Sequence, residues 1–466
     1  MHMGPKLFVR AAVLIAALAT SAAPAHATDD PVTTLAGKGG EDVSAVCRAN
    51  GQPEETCNQI PVGDHASPRA VDAYADSWTH RALSLQYELA NDVPFANAPW
   101  VGTHNSFNSM AYGYTPSRSD SNQQLSLTDQ LRIDVRSVEL DIHWWNGQPT
   151  VCHGADFNAG CSTEGPVGPY LDEIAAFLDD HSDQVVLLYL EDHIGNADGY
   201  DMVTSELDRA FGDKLYKSAG GDCSQPLPLD VTRDDLLDAG KQVVIVASGC
   251  GNPGAWSQMV FDWSGDVHSE SRPVGYGDFP DPGCETDFDR ATYESQIVRY
   301  FEDSTFVTSA ASTGPEAGVA TPDDGITPET AAAMMRCGVD LTGLDQLLPD
   351  DGRLDALVWS WKQDEPSAAG DCAIQDRETA RWEATSCSAA ARPAACVTPQ
   401  GAWLTTNKAV TYRKAAAACA KQGASFAVPR TGYENQLLRT ATPTGTGTTW
   451  LGYRSTAGHW SATDAR

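Results

Sequence analysis

From about residue 90 the chain alternates short, nearly continuous apolar runs with stretches whose apolar residues recur every three or four positions. The runs are VRSVELDI (135–142), TVCHG (150–154), QVVLLYLE (184–191), KQVVIVAS (241–248) and DALVWSW (355–361). They are rich in Val, Leu and Ile with little polar alternation, as strands buried on both faces must be. Helices are predicted between them. In GPYLDEIAAFLDD (168–180), Leu171, Ile174, Ala175 and Leu178 share one face. GYDMVTSELDRAF (199–211) and TPETAAAMMRCGV (327–339) behave alike, the second with Pro328 near its first turn. Strands alternating with helices over more than 250 residues predict a parallel α/β architecture. A TIM-type (β/α) barrel is the first expectation and a doubly wound sheet the second.

The pattern also divides the chain. Lys6 and Arg10 precede an apolar run that ends at Ala25-His26-Ala27, which reads as a signal peptide over 1–27. That run falls short of the roughly 20 residues a membrane span needs, and no later stretch is longer and as apolar. A soluble, secreted protein is expected. Residues 28–85 form a polar extension with Cys47 and Cys57, and 86–365 the barrel. Periodicity stops over 366–398, a Cys-rich stretch that reads as a disulfide-tied connector, and a smaller unit follows over 399–466. No internal repeat is visible, and a monomer is expected.

Composition narrows the function classes. All twelve cysteines follow the cleavage site, so disulfides are expected, with Cys47/Cys57 and Cys152/Cys161 as close pairs. No CxxC pair suggests zinc. The formal charge of −32 argues against a nucleic-acid partner and against electrostatic docking on anionic lipid. It suits cation binding, although a solvated surface accounts for most of it.

Four places carry candidate chemistry: GTHNSFN (102–108), VELDI (138–142), VCHG (151–154) and LYLEDH (188–193). Residues two apart on a strand share a face, so Glu139 and Asp141 point the same way. Their repulsion calls for a cation, or more plainly for an arginine such as Arg132 or Arg136. Glu191 ends another apolar strand, and Asn105 stands in a strand-end turn beside His104. Asn105, Glu139, Asp141 and Glu191 offer only oxygen ligands, the set that suits calcium rather than zinc. His104 and His153 each lie beside Gly or Asn in a turn, and two imidazoles supply one base and one acid near neutrality. A lone His is more often structural; two flanking an acidic cluster at strand ends fall where barrel enzymes keep their sites.

The order GTHNS, VELD, VCHG, VVLLYLEDH resembles the X region of calcium-dependent phosphatidylinositol-specific phospholipase C, strongly over about 95–195 and weakly beyond. The resemblance implies calcium on Asn105, Glu139, Asp141 and Glu191. His104 would stabilise the phosphoryl group, and His153 would protonate the departing diacylglycerol oxygen. The inositol 2-hydroxyl would attack, with a metal-site carboxylate as base, to give a cyclic inositol phosphate. Metal-free bacterial relatives place Asp after the first His, where this chain has Asn105. The family's phosphate-gripping lysines are missing from KQVVIVAS, which ends in Ala247 and Ser248, so plain or glycosylated phosphatidylinositol at a membrane surface is the expected substrate. Lys362 is either a headgroup contact or an ordinary surface lysine.

The C-terminal stretches AAAACAKQGASFAVPRTGYENQLL and TTWLGYRSTAGHWSA resemble the front half of a C-type lectin domain, a small α+β unit. There the partner of Cys419 and the sugar loops would follow Arg466, so carbohydrate or cell-surface contact is one reading and a structural module the other. Two further alternatives stand: a glycerophosphodiester phosphodiesterase, whose H-R-G start fits GTHNS poorly, and a catalytically inactive barrel used for binding or adhesion.

Overall fold

The computed structural model describes residues 66–112, 121–153, 161, 165–218, 227, 229–247, 254–263, 267–271, 290–293, 295–302 and 325–463. The signal-peptide reading, the Cys47/Cys57 pair and Ser248 lie outside these residues. Among the described residues no helix is long and apolar enough to cross a membrane.

Eight strands form one parallel sheet: β1 (Trp100–Thr103), β2 (Ser137–Trp145), β4 (Val186–His193), β5 (Val243–Ala247), β6 (Val260–Asp262), β7 (Val267–Ser271), β8 (Ile297–Phe301) and β9 (Leu341–Leu344). Their order is β6-β5-β4-β2-β1-β9-β8-β7. Among the described residues no ladder joins β6 to β7, so the sheet is a curled, open counterpart of the expected barrel. The remaining strand, β3 (Gln148–Val151), pairs antiparallel with β2 across a tight turn at Asn146 (φ 51°) and Gly147 (φ 81°). That pair of positive φ angles is what the hairpin turn needs and what Asn-Gly supplies.

Side-chain alternation sorts the sheet into two faces. Trp100, Leu187, Tyr189, Val244, Val246, Ile297 and Leu341 pack together on the concave side. Val138, Leu140, Leu188, Ile245, Val298 and Tyr300 belong to the outer core, shared with the helices. Those helices include Gly168–Asp180, Ala197–Phe211 and Pro328–Cys337, close to the predicted spans.

DALVWSW is not a strand. Asp351 caps a helix over Gly352–Leu357, and Trp359 and Trp361 then turn onto Trp382 instead of joining a ladder. The stretch 366–398 is more ordered than its composition suggested. It contributes strands Cys372–Asp376, Trp382–Thr385 and Ala395–Val397 to two small antiparallel sheets. Cys372–Cys387 ties the first of these strands to the segment after the second, Cys396–Cys419 ties the third to the helix Ala415–Ala420, and Cys152 pairs with Cys161 as expected. Cys419 thus finds its partner upstream, not past Arg466.

The C-terminal sheets are continuous with the barrel core, one apolar cluster running from Val71 to Trp460. Asn435 is the polar pin of this junction and is 3% exposed. Its Oδ1 accepts from Trp382 Nε1 (2.9 Å) and Gln375 Nε2 (2.6 Å), and its Nδ2 donates to the carbonyls of Trp359 (3.1 Å) and Ala380 (3.0 Å). Asn435→Ala strands these groups in the interior. It is expected to destabilise the whole protein by about 2–4 kcal/mol, read as a lowered urea midpoint with one transition for barrel and C-terminal probes alike.

Candidate active site

Alternation on the strands decides which side chains meet. Asp141 on β2 stands opposite Glu191 on β4, two residues above the Glu139–Tyr189 pair. On the other side of β2, Thr103 pairs with Leu344, so His104 and Asp345 are the first residues past their two strands. Asn105 takes φ +44°, a left-handed turn that Asn tolerates better than most residues.

The carboxylates of Glu139, Asp141 and Glu191 each offer an oxygen within 4.8 Å of the others. The Asn105 amide lies 2.9–3.1 Å from the Asp141 carboxylate. With nitrogen turned inward it donates to Asp141; with oxygen inward it completes an all-oxygen set. Like charges this close repel by about 3–4 kcal/mol per pair at an effective dielectric near 20. Burial, then Glu191 and Glu139, hold the Asp141 carboxyl well above its ordinary range. Burial also raises Glu139, against the opposing pull of Arg299 and His104. Glu191 is lowered, chiefly by its hydrogen bond from His193 Nε2 at 2.8 Å.

An arginine does compensate Glu139, but neither of those expected. Arg132 pairs with Asp129 and Asp72, and Arg136 bonds Gln184 and the carbonyls of Leu131 and Val135. The partner is Arg299 from β8, whose guanidinium reaches Glu139 Oε2 at 2.6 Å and lies over the Phe301 ring at 4.1 Å. One guanidinium leaves the three carboxylates in surplus. The donor set therefore fits a hard divalent cation, bound by oxygens at about 2.3–2.6 Å.

The two histidines share one polar network. His104 Nδ1 sits 3.3 Å from Asp345, and its ring packs against Phe301. Asn122 Nδ2 donates to Asp345 (3.3 Å), Asn108 Nδ2 donates to Asn122 Oδ1 (2.8 Å), and the same Asn108 nitrogen lies 3.2 Å from His153 Nδ1. With Asn108 as donor, neutral His153 carries its proton on Nε2. The main chain of Asp345 is clamped at both ends: its N–H donates to Glu302 (2.6 Å) and its carbonyl accepts from Arg353 (2.8 Å).

Six of the seven residues singled out in the sequence thus meet at the same end of the sheet. Lys362 is exposed and paired with Glu383 at 2.8 Å, and no described contact joins it to the cluster. Asp345, Arg299, Asn108 and Asn122 escaped the reading. Asp345 repeats the signal that marked Glu191, an acid at the end of an apolar run (Leu341–Leu344), and Arg299 is a lone charge at an inward position of IVRYF. Asp345→Asn removes the charge facing His104 Nδ1. It is expected to lower kcat by about 10²-fold or more with little change in melting temperature, measured by steady-state kinetics and calorimetry.

The model of the Rv2075c PI-PLC-like domain matches residues 59–351. The uncharacterized protein Rv2075c of Mycobacterium tuberculosis is 42% identical over 440 residues, 90% of this chain and 88% of that protein. The PI-PLC X domain-containing protein At5g67130 of Arabidopsis thaliana is 27% identical over 149 residues, 31% of this chain and 33% of that one. Among solved structures, the phosphatidylinositol-specific phospholipase C from Listeria monocytogenes is 13% identical with a TM-score of 0.40, covering 57% of this chain and 95% of that one. The chain belongs to the Rv2075c PI-PLC-like domain family.

Proposed function

We propose that this protein is an exported phosphodiesterase that cleaves phosphatidylinositol-type lipids on the diacylglycerol side, with calcium as its metal. The observation that carries the reading is the convergence of His104 and His153, through Asp345, Asn122 and Asn108, beside a buried all-oxygen carboxylate cluster.

The residues divide the work. His104, steadied by Asp345, presents its other ring nitrogen to the phosphoryl oxygens and stabilises the charge that builds there. His153 delivers a proton to the departing glycerol oxygen, a poor leaving group as an alkoxide. A carboxylate of the cluster takes the proton of the inositol 2-hydroxyl as it attacks phosphorus. The P–O bond to diacylglycerol breaks as the new P–O bond closes the cyclic phosphate. Asn105, Glu139, Asp141 and Glu191 would hold calcium, which when bound supplies Lewis-acid polarisation of the phosphoryl oxygen and the hydroxyl. Arg299 holds the Glu139 carboxylate in place through its ion pair.

Export is supported by the leader-like first 27 residues and the disulfides. The lectin-like reading of the C-terminal unit rests on its Cys-bearing helix and W-L-G strand. The function is tested by incubating the purified protein with phosphatidylinositol vesicles and identifying the released phosphoinositol; intact lipid after prolonged incubation with calcium refutes it.

A further inference from the structure

Charge is distributed unevenly along this chain. Residues 366–466 hold eleven Lys and Arg against six Asp and Glu, a formal +5, which leaves −37 on residues 1–365. The contrast sharpens over 384–433. These fifty residues contain no acid, where the chain's average would place about seven, and carry Arg392, Lys408, Arg413, Lys414, Lys421 and Arg430.

Two of the six are used internally. Arg430 is buried against Asp92, and Arg392 lies over Trp450. Lys408, Arg413, Lys414 and Lys421 are exposed, and among the described residues none of them has an acidic partner. Three of them belong to one helical stretch, the turn Tyr412–Lys414 running into the helix Ala415–Ala420. Its inner side is Tyr412, Ala415 and Cys419, all buried, and the disulfide from Cys419 fixes it to the strand Ala395–Val397. Its outer side presents Arg413, Lys414, Ala416, Ala417, Ala420 and Lys421. Seven residues are close to two helical turns, so Lys414 and Lys421 project on one side, and the exposed residues between them are alanines.

We propose that this basic helical face of the C-terminal unit docks on an anionic lipid bilayer. Surface charges more than about 8 Å apart are screened at physiological ionic strength, so docking is decided by the local cations Arg413, Lys414 and Lys421, with Lys408 just before them in the chain, and not by the chain's −32. The total charge therefore does not exclude anionic lipid. Small alanines let the cations approach a flat surface closely, and the outer side carries no aromatic ring on which a nucleic-acid base would stack. The choice of a bilayer rests on the proposed function, whose substrate is an anionic lipid held in one.

The test separates docking from catalysis. Wild type and the quadruple variant K408Q/R413Q/K414Q/K421Q are sedimented with vesicles of phosphatidylcholine alone, or roughly three parts phosphatidylcholine to one of phosphatidylglycerol, which is not an inositol lipid. Wild type is expected to bind only the anionic vesicles, less so as salt rises. Each charge removed should weaken partitioning about fivefold. Unchanged melting and unchanged turnover of soluble glycerophosphoinositol confirm that the variant is folded and its site intact. Equal sedimentation of wild type and variant, or none by wild type, overturns the proposal. So does wild-type self-association, seen by light scattering and lost in the variant, since the face would then serve the acidic barrel of a second copy. Absence of turnover by both proteins counts against the phosphodiesterase reading alone and leaves the vesicle result to decide docking.

Discussion

His153→Gln is expected to lower kcat on phosphatidylinositol by about 10²–10⁴-fold, with KM changed little. The cost follows from the leaving group. A glycerol alkoxide departs from phosphorus only if it is protonated as the bond breaks, and His153 is the imidazole placed for this by its contact with Asn108. Glutamine keeps a hydrogen-bonding side chain but cannot give up a proton. A phosphoinositol ester of a phenol, whose oxygen leaves readily as the anion, should therefore recover most of the lost rate. His153 is only half-buried, so the variant should melt with the wild type. Full turnover of the natural lipid by this variant would remove His153 from the chemistry and require another proton donor for the leaving oxygen.

The second large effect is on the carboxylate cluster. Asp141→Asn preserves shape while replacing one ligand oxygen by an N–H group and deleting one charge. Calcium affinity, measured by isothermal titration calorimetry on chelator-treated protein, is expected to fall at least about tenfold, with kcat falling about 10²-fold or more. The melting temperature without calcium should rise, because the wild-type side chain is held between Glu139 and Glu191 in a buried site where its charge is opposed. Calcium should then raise the melting point of wild type by more than that of the variant, as ligand binding to the native state requires. Equal calcium affinity in both proteins would place the ion elsewhere.

Much of this site was legible because strand chemistry is periodic. Glu139 and Asp141 share a face by alternation alone, and Glu191 ends its strand in the same way, so the cluster could be drawn before any fold was known. The helices at 168–180 and 197–211 were equally plain, since each carries an apolar stripe at the helical period. What escaped was what depends on partners distant in sequence. β1, β6 and β9 are three or four residues long, too short for a periodicity. Arg299 reaches Glu139 from 160 positions away, and Asp345 reaches His104 from 241. Nothing local to either residue announces such a pairing. DALVWSW misled for a related reason. Its apolar residues serve a helix end and a tryptophan cluster, and only the Asp351 cap before it separates that outcome from a strand.

The central claim is calcium-dependent cleavage of an inositol lipid at this site. The measurement that tests it most directly is phosphorus NMR of phosphatidylinositol vesicles incubated with the purified protein, with calcium and again with excess chelator. The account predicts a cyclic inositol phosphate signal with calcium and none with chelator. Cyclic phosphate formed at the same rate in chelator would contradict it, and would leave Arg299 as the cation that serves the carboxylates.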